Sequence, residues 1–258
     1  MKCTHLSVSA PVKKGESKMD IEVRNGPAFG VARLSLGGGE KVRAESGSMM
    51  ATSDGVVVEA KAEGGVMKSL KRAALGGESF FLTTFTAPTQ GGFVDVAALM
   101  PGDLVVVDLP SDGLIVQRGS WLASEMSVEL NTKWGGFKNL FGSEGGFVVH
   151  AEGSGKIVLS CYGALETWTL AAGEKITLDT GHMVAYDSSL TMSLRKATGG
   201  IVQMVKSGEG LVFDFTGPGR LLVQTRNPNE FLGFIGAALG GNNNAGGRPN
   251  VAGLFTRD

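Results

Sequence analysis

Short apolar runs recur along the chain at roughly 8–12-residue spacing, as expected for strands of an all-β protein. Examples are VVVEAKAE, FFLTTFTA, LVVVDL, FVVHAE, KIVLSC, KITLD, LVFDF and RLLVQT. Turn signals such as GGGE, PGD, PSDG, AAGE and GPG separate them, because Gly accepts positive φ and Pro and Asp fix turn geometry. The pattern predicts many short antiparallel strands in a sandwich or barrel, with few short helices.

A first phrase occurs three times and places a glycine two residues before a large apolar side chain. The copies read ESGSMM at 45–50, QRGSWL at 117–122 and DTGHMV at 179–184. Their shared glycines are Gly47, Gly119 and Gly181. Because glycine adopts positive φ without steric cost, we predict that the three occupy equivalent structural turns, at least two of them with positive φ.

A second phrase also occurs three times, always after the first. The copies are GGESFFLTTFTAP, GSEGGFVVHAEGSG and SGEGLVFDFTGPG, and a short helix-like stretch precedes each. Two phrases repeated in one order indicate a unit written three times. We therefore predict a domain over 19–227 with repeats at about 20–93, 94–157 and 158–227, which share a core around a pseudo-threefold axis.

Composition and charge narrow the classes of function. Hydrophobic residues make up 42% and charged residues 19%, which is typical of a folded globular chain. Lys and Arg number 24 against 25 Asp and Glu, and this balance argues against a DNA-binding surface. The chain has 3 Trp and 2 Tyr, with no interleaving of basic and aromatic residues, which argues against RNA as well.

The N-terminal residues 1–18 are predicted to be an extension, and either Met1 or Met19 is a plausible start. This segment has no continuous apolar region of the kind found in secretory signals. No apolar run approaches the roughly 18–20 residues that span a bilayer. The sequence therefore predicts a cytoplasmic protein without a transmembrane segment.

The composition changes again over residues 228–258. The stretch NEFLGFIGAALGG predicts a helix, and a flexible Gly/Asn-rich tail follows it. Phe231, Phe234 and Ile235 share one helical face and are the candidate partner contacts. The sequence leaves open whether this face docks on its own core, on a second copy of the chain or on a membrane surface. We expect self-association at least partly through this segment.

The sequence predicts no catalytic residue, no cofactor site and no metal site. His150 and His182 are far apart, with no His-x-His pair, and His182 shares the phrase position of Ser48 and Ser120, which suggests an exposed turn. Cys161 ends an apolar run and is predicted to be buried as a small hydrophobe.

Three acids recur in the second phrase, namely Glu78, Glu144 and Glu209. An acid at the start of a strand commonly accepts hydrogen bonds from the backbone of a neighbouring turn, and this is the favoured interpretation. The alternative is a carboxylate cluster on the threefold axis, which would bind a cation or raise carboxyl pKa values.

Several long phrases together resemble the altered inheritance of mitochondria protein 24 family over about residues 19–228. These are LKRAALGGESFFLTTFTA, MPGDLV, NTKWGGFKNLFGSEG, LSCYGALETWTLAAGEKITLDTGHMVAYD and GEGLVFDFTGPGRLLVQTRNP. The resemblance implies a jelly-roll-type β-sandwich of the tryptophan RNA-binding attenuator protein-like class, with three similar units in a pseudo-threefold arrangement. It implies no catalytic residues.

Two hypotheses of function follow. The first is a non-enzymatic scaffold or interaction protein, because the repeat is clear and no coherent catalytic cluster accompanies it. The alternative is a module that binds a small ligand or RNA in the clefts between units, as the implied class suggests. Fold alone does not decide between them.

Overall fold

The computed structural model describes residues 19–62, 81–131, 148–197 and 211–238 of the chain. The N-terminal extension, the three helix-like stretches, the three recurring glutamates and the Gly/Asn-rich tail lie outside these residues. The described strands are β1 (Asp20–Arg24), β2 (Val31–Leu36), β3 (Lys41–Glu45), β4 (Met49–Thr52), β5 (Val57–Ala62), β6 (Phe81–Thr86), β7 (Gly92–Ala97), β8 (Leu104–Asp108), β9 (Leu114–Gln117), β10 (Trp121–Glu125), β11 (Val128–Asn131), β12 (Val148–Gly153), β13 (Lys156–Ser160), β14 (Leu165–Leu170), β15 (Lys175–Asp179), β16 (Met183–Asp187), β17 (Thr191–Lys196), β18 (Leu211–Thr216) and β19 (Gly219–Gln224). Helix α1 (Pro228–Ala238) follows them, and the predicted all-β fold is confirmed.

The described strands form four antiparallel sheets. The first sheet has the order β1-β2-β7-β4, and the second has the order β5-β6-β3-β10-β13-β8. The third sheet has the order β11-β12-β9-β16-β19-β14, and the fourth has the order β15-β18-β17.

The strand pairing repeats three times along the chain. Strands β2–β7, β8–β13 and β14–β19 form three units of six strands, which we letter a to f in chain order. In every unit strand f pairs with a and c, and strand e pairs with b and d. The register of strand c shifts just after its first residue, which is Met49, Trp121 or Met183. The predicted repeat is thus present in the topology, whereas its arrangement around a threefold axis stays a prediction.

Neighbouring units are joined where strand b of one unit pairs with strand c of the next, a pairing that we call a seam. In the first seam β3 pairs with β10, and Ala44 lies opposite Ala123. In the second seam β9 pairs with β16, and Val116 lies opposite Ala185. The second and third sheets therefore each contain strands of two units.

Three hydrophobic cores stabilise the described strands, and each of them contains residues of at least two units. The first core joins the first and second sheets, with Leu34 packed in the same cluster as Val158. The second core joins the second and third sheets around Trp121. The third core joins the third and fourth sheets around Phe213. The second and third sheets are therefore apolar on both faces.

The predicted repeat boundaries after residues 93 and 157 fall inside β7 and β13. The sequence phrases ended at a glycine turn between strands e and f of the same unit. Strand f belongs to the preceding unit because it pairs with strands a and c of that unit. The first unit also carries an additional strand, β1, on the edge of the first sheet.

Candidate functional site: the turns between strands b and c, and helix α1

The three repeated glycines all lie in the turn between strands b and c, as the sequence predicted. In the second and third units this turn is a 3-10 turn, over Arg118–Ser120 and Thr180–His182. The turns are less exposed than expected, because the side chains of Ser48 and Ser120 are buried. The Ser48 hydroxyl points inward and donates a hydrogen bond of 2.7 Å to the carbonyl of Glu45.

The prediction of positive φ for at least two of these glycines is wrong. Gly47 has a φ of 88°, whereas Gly119 and Gly181 do not lie in the left-handed region. A 3-10 turn uses negative φ throughout, so glycine is not required there for conformational freedom. The three turns share a position but not a backbone conformation.

Gly181 has a different reason to lack a side chain. A Cβ at this position would overlap the side-chain amide of Asn227. Asp179 accepts hydrogen bonds at Oδ1 from the Gly181 amide at 2.9 Å and from Nδ2 of Asn227 at 3.4 Å. The third turn therefore holds Asn227, the residue immediately before helix α1.

Helix α1 begins with typical start signals. Asn227 Oδ1 accepts a hydrogen bond from the amide of Asn229 at 3.0 Å, which caps the first turn, and Pro228 occupies the first helical position. Glu230 lies in the first turn, where a negative charge interacts favourably with the helix dipole. The predicted helix over 229–239 is thus observed as far as Ala238.

The apolar face of α1 is only partly covered. Phe231 contacts Tyr162 with a ring separation of 5.5 Å, and Ile235 is half-buried. Phe234 is 68% exposed and Leu232 is 52% exposed. We call Phe231, Leu232, Phe234 and Ile235 the α1 surface. Large apolar side chains are seldom this exposed on a folded protein, so the exposed part of the α1 surface is a candidate interaction surface.

A cavity of about 280 Å³ lies beside the start of α1, where parts of all three units meet. Residues that line it include Glu45, Leu99, Gln117, Ser120, Tyr162 and Gln224. Leu99 is 96% exposed, so the mouth of the cavity is apolar on one side.

Gln224 closes one wall of this cavity and joins the second and third units. Its Oε1 accepts from the amide of Tyr162 at 2.9 Å, and its Nε2 donates to the carbonyl of Gly181 at 2.8 Å. The carbonyl of Gln224 lies 2.7 Å from Nδ1 of His182. The hydrogen bonds of His182 and Gln224 thus hold together the backbone at Tyr162, Gly181 and Gln224.

Ion pairs occupy outer positions of the first sheet. Asp95 is 2% exposed and pairs with Arg24 at 2.9 Å and with Arg33 at 2.8 Å. Burial alone would raise the pKa of Asp95, but the hydrogen bonds and positive charges of the two arginines outweigh it, and this pKa lies below its usual value. The guanidinium of Arg33 also lies 3.9 Å from the ring centroid of Phe93.

Two further pairs join neighbouring strands, Arg220 with Asp187 at 3.0 Å and Arg195 with Asp214 at 2.6 Å. The pKa of Arg220 is raised by its hydrogen bond to Asp187. Hydrogen bonds from Arg195 and Thr177 lower the pKa of Asp214.

The described residues offer little for nucleophilic or metal chemistry. Cys161 is buried, and burial raises the pKa of its thiol to about 11, so the thiolate is scarce at neutral pH. Its Sγ donates toward the carbonyl of Gly163 at 3.3 Å. Across 19–62, 81–131, 148–197 and 211–238 no group of three or more His, Cys, Asp or Glu side chains is placed to hold a metal ion.

The strand pairing and the buried turns belong to a region that comparison with known proteins also recognises. Residues 21–226 match the family model described as mitochondrial biogenesis AIM24. The chain belongs to this family. The resemblance inferred from the sequence is therefore confirmed.

This AIM24 family member is 27% identical over 231 residues to an uncharacterised protein of Streptococcus pyogenes serotype M6, a match that spans 86% of the chain and 92% of that protein. It also resembles the crystal structure of a Streptococcus pyogenes protein with a TM-score of 0.72 and 26% identity, over 86% of this chain and all of that one. Among the residues that the structure describes, the helical part is too short for a membrane span.

Sequence reasoning missed the residues that join distant segments. Asp95 and Arg33 are 62 residues apart, and Tyr162 and Gln224 are separated by the same distance. The repeat contained one usable signal, because Asp95 stands where the other units have Val158 and Leu222. A charge at an apolar repeat position predicts a partner of opposite charge nearby.

Proposed function

We propose that this protein is a non-enzymatic scaffold or interaction protein that binds other protein surfaces through the α1 surface. The observation that carries the proposal is the placement of α1. The helix is capped and anchored at Asn227, yet Phe234 and Leu232 point into solvent. A short helix held in place with apolar side chains outward is typical of a protein contact.

Two acids at turns support the same proposal because they act within the fold. Glu40 accepts from the amide of Gly37, and Glu174 accepts from the amide of Ala171, each at 2.8 Å. These acids belong to the turns before strands b of the first and third units, and they stabilise those turns. A cytoplasmic location is part of this proposal.

The test compares the full chain with Phe234→Ser and with a chain truncated after Asn227, using light scattering and thermal unfolding. We expect both variants to self-associate less than the full chain. Glu230→Gln is the matched control, since it changes α1 without changing its apolar face. If the truncated chain keeps the same mass, solubility and Tm as the full chain, the α1 surface neither docks nor assembles.

The cavity beside α1 favours a second candidate function, the binding of a small ligand between units. Its lining joins amide and hydroxyl groups of Gln117, Ser120 and Gln224 to the apolar side chains of Leu99 and Tyr162. A few polar groups in an apolar setting are typical of ligand pockets. A ligand or RNA of the attenuator-like class is expected to co-purify in native mass spectrometry of protein taken from cells. A spectrum that shows the bare chain alone argues against this candidate.

A further inference from the structure

A serine, a histidine and a glutamate meet at the second seam. Ser188 Oγ lies 3.2 Å from Nε2 of His150, and Nδ1 of the same ring lies 3.5 Å from Oε1 of Glu152. His150 and Glu152 belong to β12, whereas Ser188 lies in the turn between β16 and β17. Strands β12 and β16 both pair with β9, so the seam brings these side chains of the second and third units together.

The turn that carries Ser188 is held in place by hydrogen bonds on both sides. The Ser188 amide donates to the carbonyl of Gly113 at 3.2 Å, and the Leu190 amide donates to the carbonyl of Asp187 at 3.0 Å. Oδ2 of Asp187 accepts from the amide of Arg220 at 2.8 Å. The Ser188 hydroxyl therefore has a defined position relative to the imidazole, which is what a positioned reacting group needs.

Gly113 gives the imidazole room to reach Ser188. A Cβ at this position would lie 2.7 Å from Nε2 of His150 and 2.8 Å from the carbonyl oxygen of Ala151. The backbone of Gly113 has a φ of 86°, a conformation that favours glycine. The sequence thus keeps a side chain away from the ring nitrogen that faces the serine.

The order of the three groups sets the position of the proton on the ring. A carboxylate beside Nδ1 favours a proton on that nitrogen, so Nε2 carries a lone pair that accepts from the Ser188 hydroxyl. A nucleophile, a base within hydrogen-bond distance and a third group that orients the base form the arrangement that activates a serine. An imidazole placed in this way takes the hydroxyl proton as the oxygen attacks.

The cluster is partly shielded from water and partly accessible. The side chain of His150 is 14% exposed, that of Glu152 is 49% exposed, and Ser188 is half-buried. Ser189, the next residue of the turn, is more exposed than Ser188. Access alone therefore favours a reaction at Ser189, whereas activation by the imidazole favours Ser188.

The repeat does not account for this cluster. At the corresponding positions the first seam has Thr84 on β6 in place of His150, and Met126 after β10 in place of Ser188. Because both seams share one pairing register, the pairing itself does not require a histidine and a serine here.

We propose that Ser188 is an acylation site that reacts with small activated carboxylic esters. The Ser188 oxygen forms a bond to the carbonyl carbon of the ester while its proton passes to Nε2 of His150. The ester C–O bond then breaks, the alcohol or phenol leaves with that proton, and the acyl group stays on the serine. Glu152 is a positioning residue that acts through the ring.

A single acylation modifies the chain without turnover, so this reaction goes beyond the proposed interaction role and does not replace it. It involves residues beside β9, β12 and β16 and uses neither α1 nor the cavity beside it. Phe234→Ser is expected to leave the reaction at Ser188 unchanged, and Ser188→Ala is expected to leave the α1 surface unchanged. The two proposals therefore fail separately.

The test treats the full chain with p-nitrophenyl acetate near neutral pH. Absorbance follows the released p-nitrophenolate, and mass spectrometry of peptides locates the acetyl group. We expect Ser188 to be acetylated at least about 100-fold faster than Ser189, because a positioned general base contributes about 100-fold or more. In denaturant the two serines are expected to react at similar rates, since the fold no longer holds the imidazole beside Ser188.

Four variants assign the roles. Ser188→Ala is expected to abolish the fast reaction, and Ser189→Ala is the matched control on the same turn that keeps it. His150→Gln is expected to slow acetylation of Ser188 by about 100-fold. Glu152→Gln is expected to slow it less, because this residue acts only through the orientation of the ring. Urea unfolding of each variant verifies that a slower reaction does not come from loss of the fold.

Two outcomes overturn the proposal. One is acetylation confined to lysines or to His150 itself, with Ser188 no faster than Ser189. The other is a reaction at Ser188 that keeps its rate in a folded His150→Gln variant. Either result reduces the hydrogen bond between Ser188 and His150 to a structural contact.

Discussion

The side-chain amide of Asn227 packs directly against Gly181 and fills the volume that a Cβ on Gly181 would need. This contact connects the third b–c turn to the residue that caps the start of helix α1. It explains why glycine recurs at this repeat position in the third unit, where the backbone conformation does not require it.

Substitutions at the three repeated glycines are expected to distinguish two reasons for glycine at this position, namely steric overlap with a neighbouring side chain and a backbone with positive φ. Gly181→Ala forces the turn and Asn227 apart and is expected to lower the free energy of unfolding by about 1–3 kcal/mol. Gly47→Ala places a Cβ at positive φ and is expected to cost about 1 kcal/mol. Gly119→Ala meets no atom within 4 Å and is the matched control. Urea denaturation measures all three, and a cost at Gly119 equal to that at Gly181 contradicts the explanation.

The ion pairs of Asp95 are expected to contribute to stability in a pH-dependent way. Asp95→Asn removes the charge that compensates two arginines and is expected to lower the free energy of unfolding by about 2 kcal/mol at neutral pH. Because the folded-state pKa of Asp95 lies below its usual value, this contribution is complete above about pH 4 and is lost as the pH falls through the folded pKa.

The measurement is urea unfolding of both proteins between pH 3 and pH 7, values chosen to bracket the usual carboxyl pKa of about 4. Asp214→Asn is the control, since the Arg195–Asp214 pair is exposed and is expected to shift the unfolding midpoint less. A difference between wild type and Asp95→Asn that stays constant down to the lowest pH disagrees with the assignment.

Phe231 and Phe234 are expected to respond differently to the same change. Phe231→Ala removes the ring contact with Tyr162 and is expected to cost about 1 kcal/mol of stability. Phe234→Ala removes a side chain that is 68% exposed and is expected to leave stability unchanged while it weakens association. Thermal unfolding and light scattering on the same samples compare the two effects. Equal loss of stability in both variants shows that Phe234 packs on the fold as closely as Phe231 does, which contradicts the described exposure of Phe234.

Cys161 is expected to be inert toward thiol reagents in the folded protein. Its thiol has a pKa of about 11 and is buried, so at pH 7 both ionisation and access are unfavourable. In a Cys3→Ser background, labelling is expected to be slow in buffer and fast in denaturant. Rapid labelling of the native chain at pH 7 indicates that Cys161 lies in a more open and polar setting than described.

The sequence by itself determined the strand-rich architecture and the order of its parts. Alternating apolar runs and glycine turns are local signals, and a phrase such as ESGSMM or DTGHMV marks a turn at the same position of each unit. The start of α1 was equally local, because Asn227 and Pro228 are typical of helix beginnings. Signals of this kind act over a few residues, so they can be recognised without knowledge of distant segments.

Tertiary structure alone decided how the units meet. Whether Gly119 and Gly181 need positive φ depends on the turn that packing selects, and whether Met49 is covered depends on which strand lies beside β4. The repeat predicted a shared core, and pairing of β3 with β10 and of β9 with β16 makes the second and third sheets each common to two units, so that each of the three hydrophobic cores contains residues of at least two units. Pairing between distant strands depends on which strand edges and sheet faces meet in the folded protein, and local sequence patterns do not predict it.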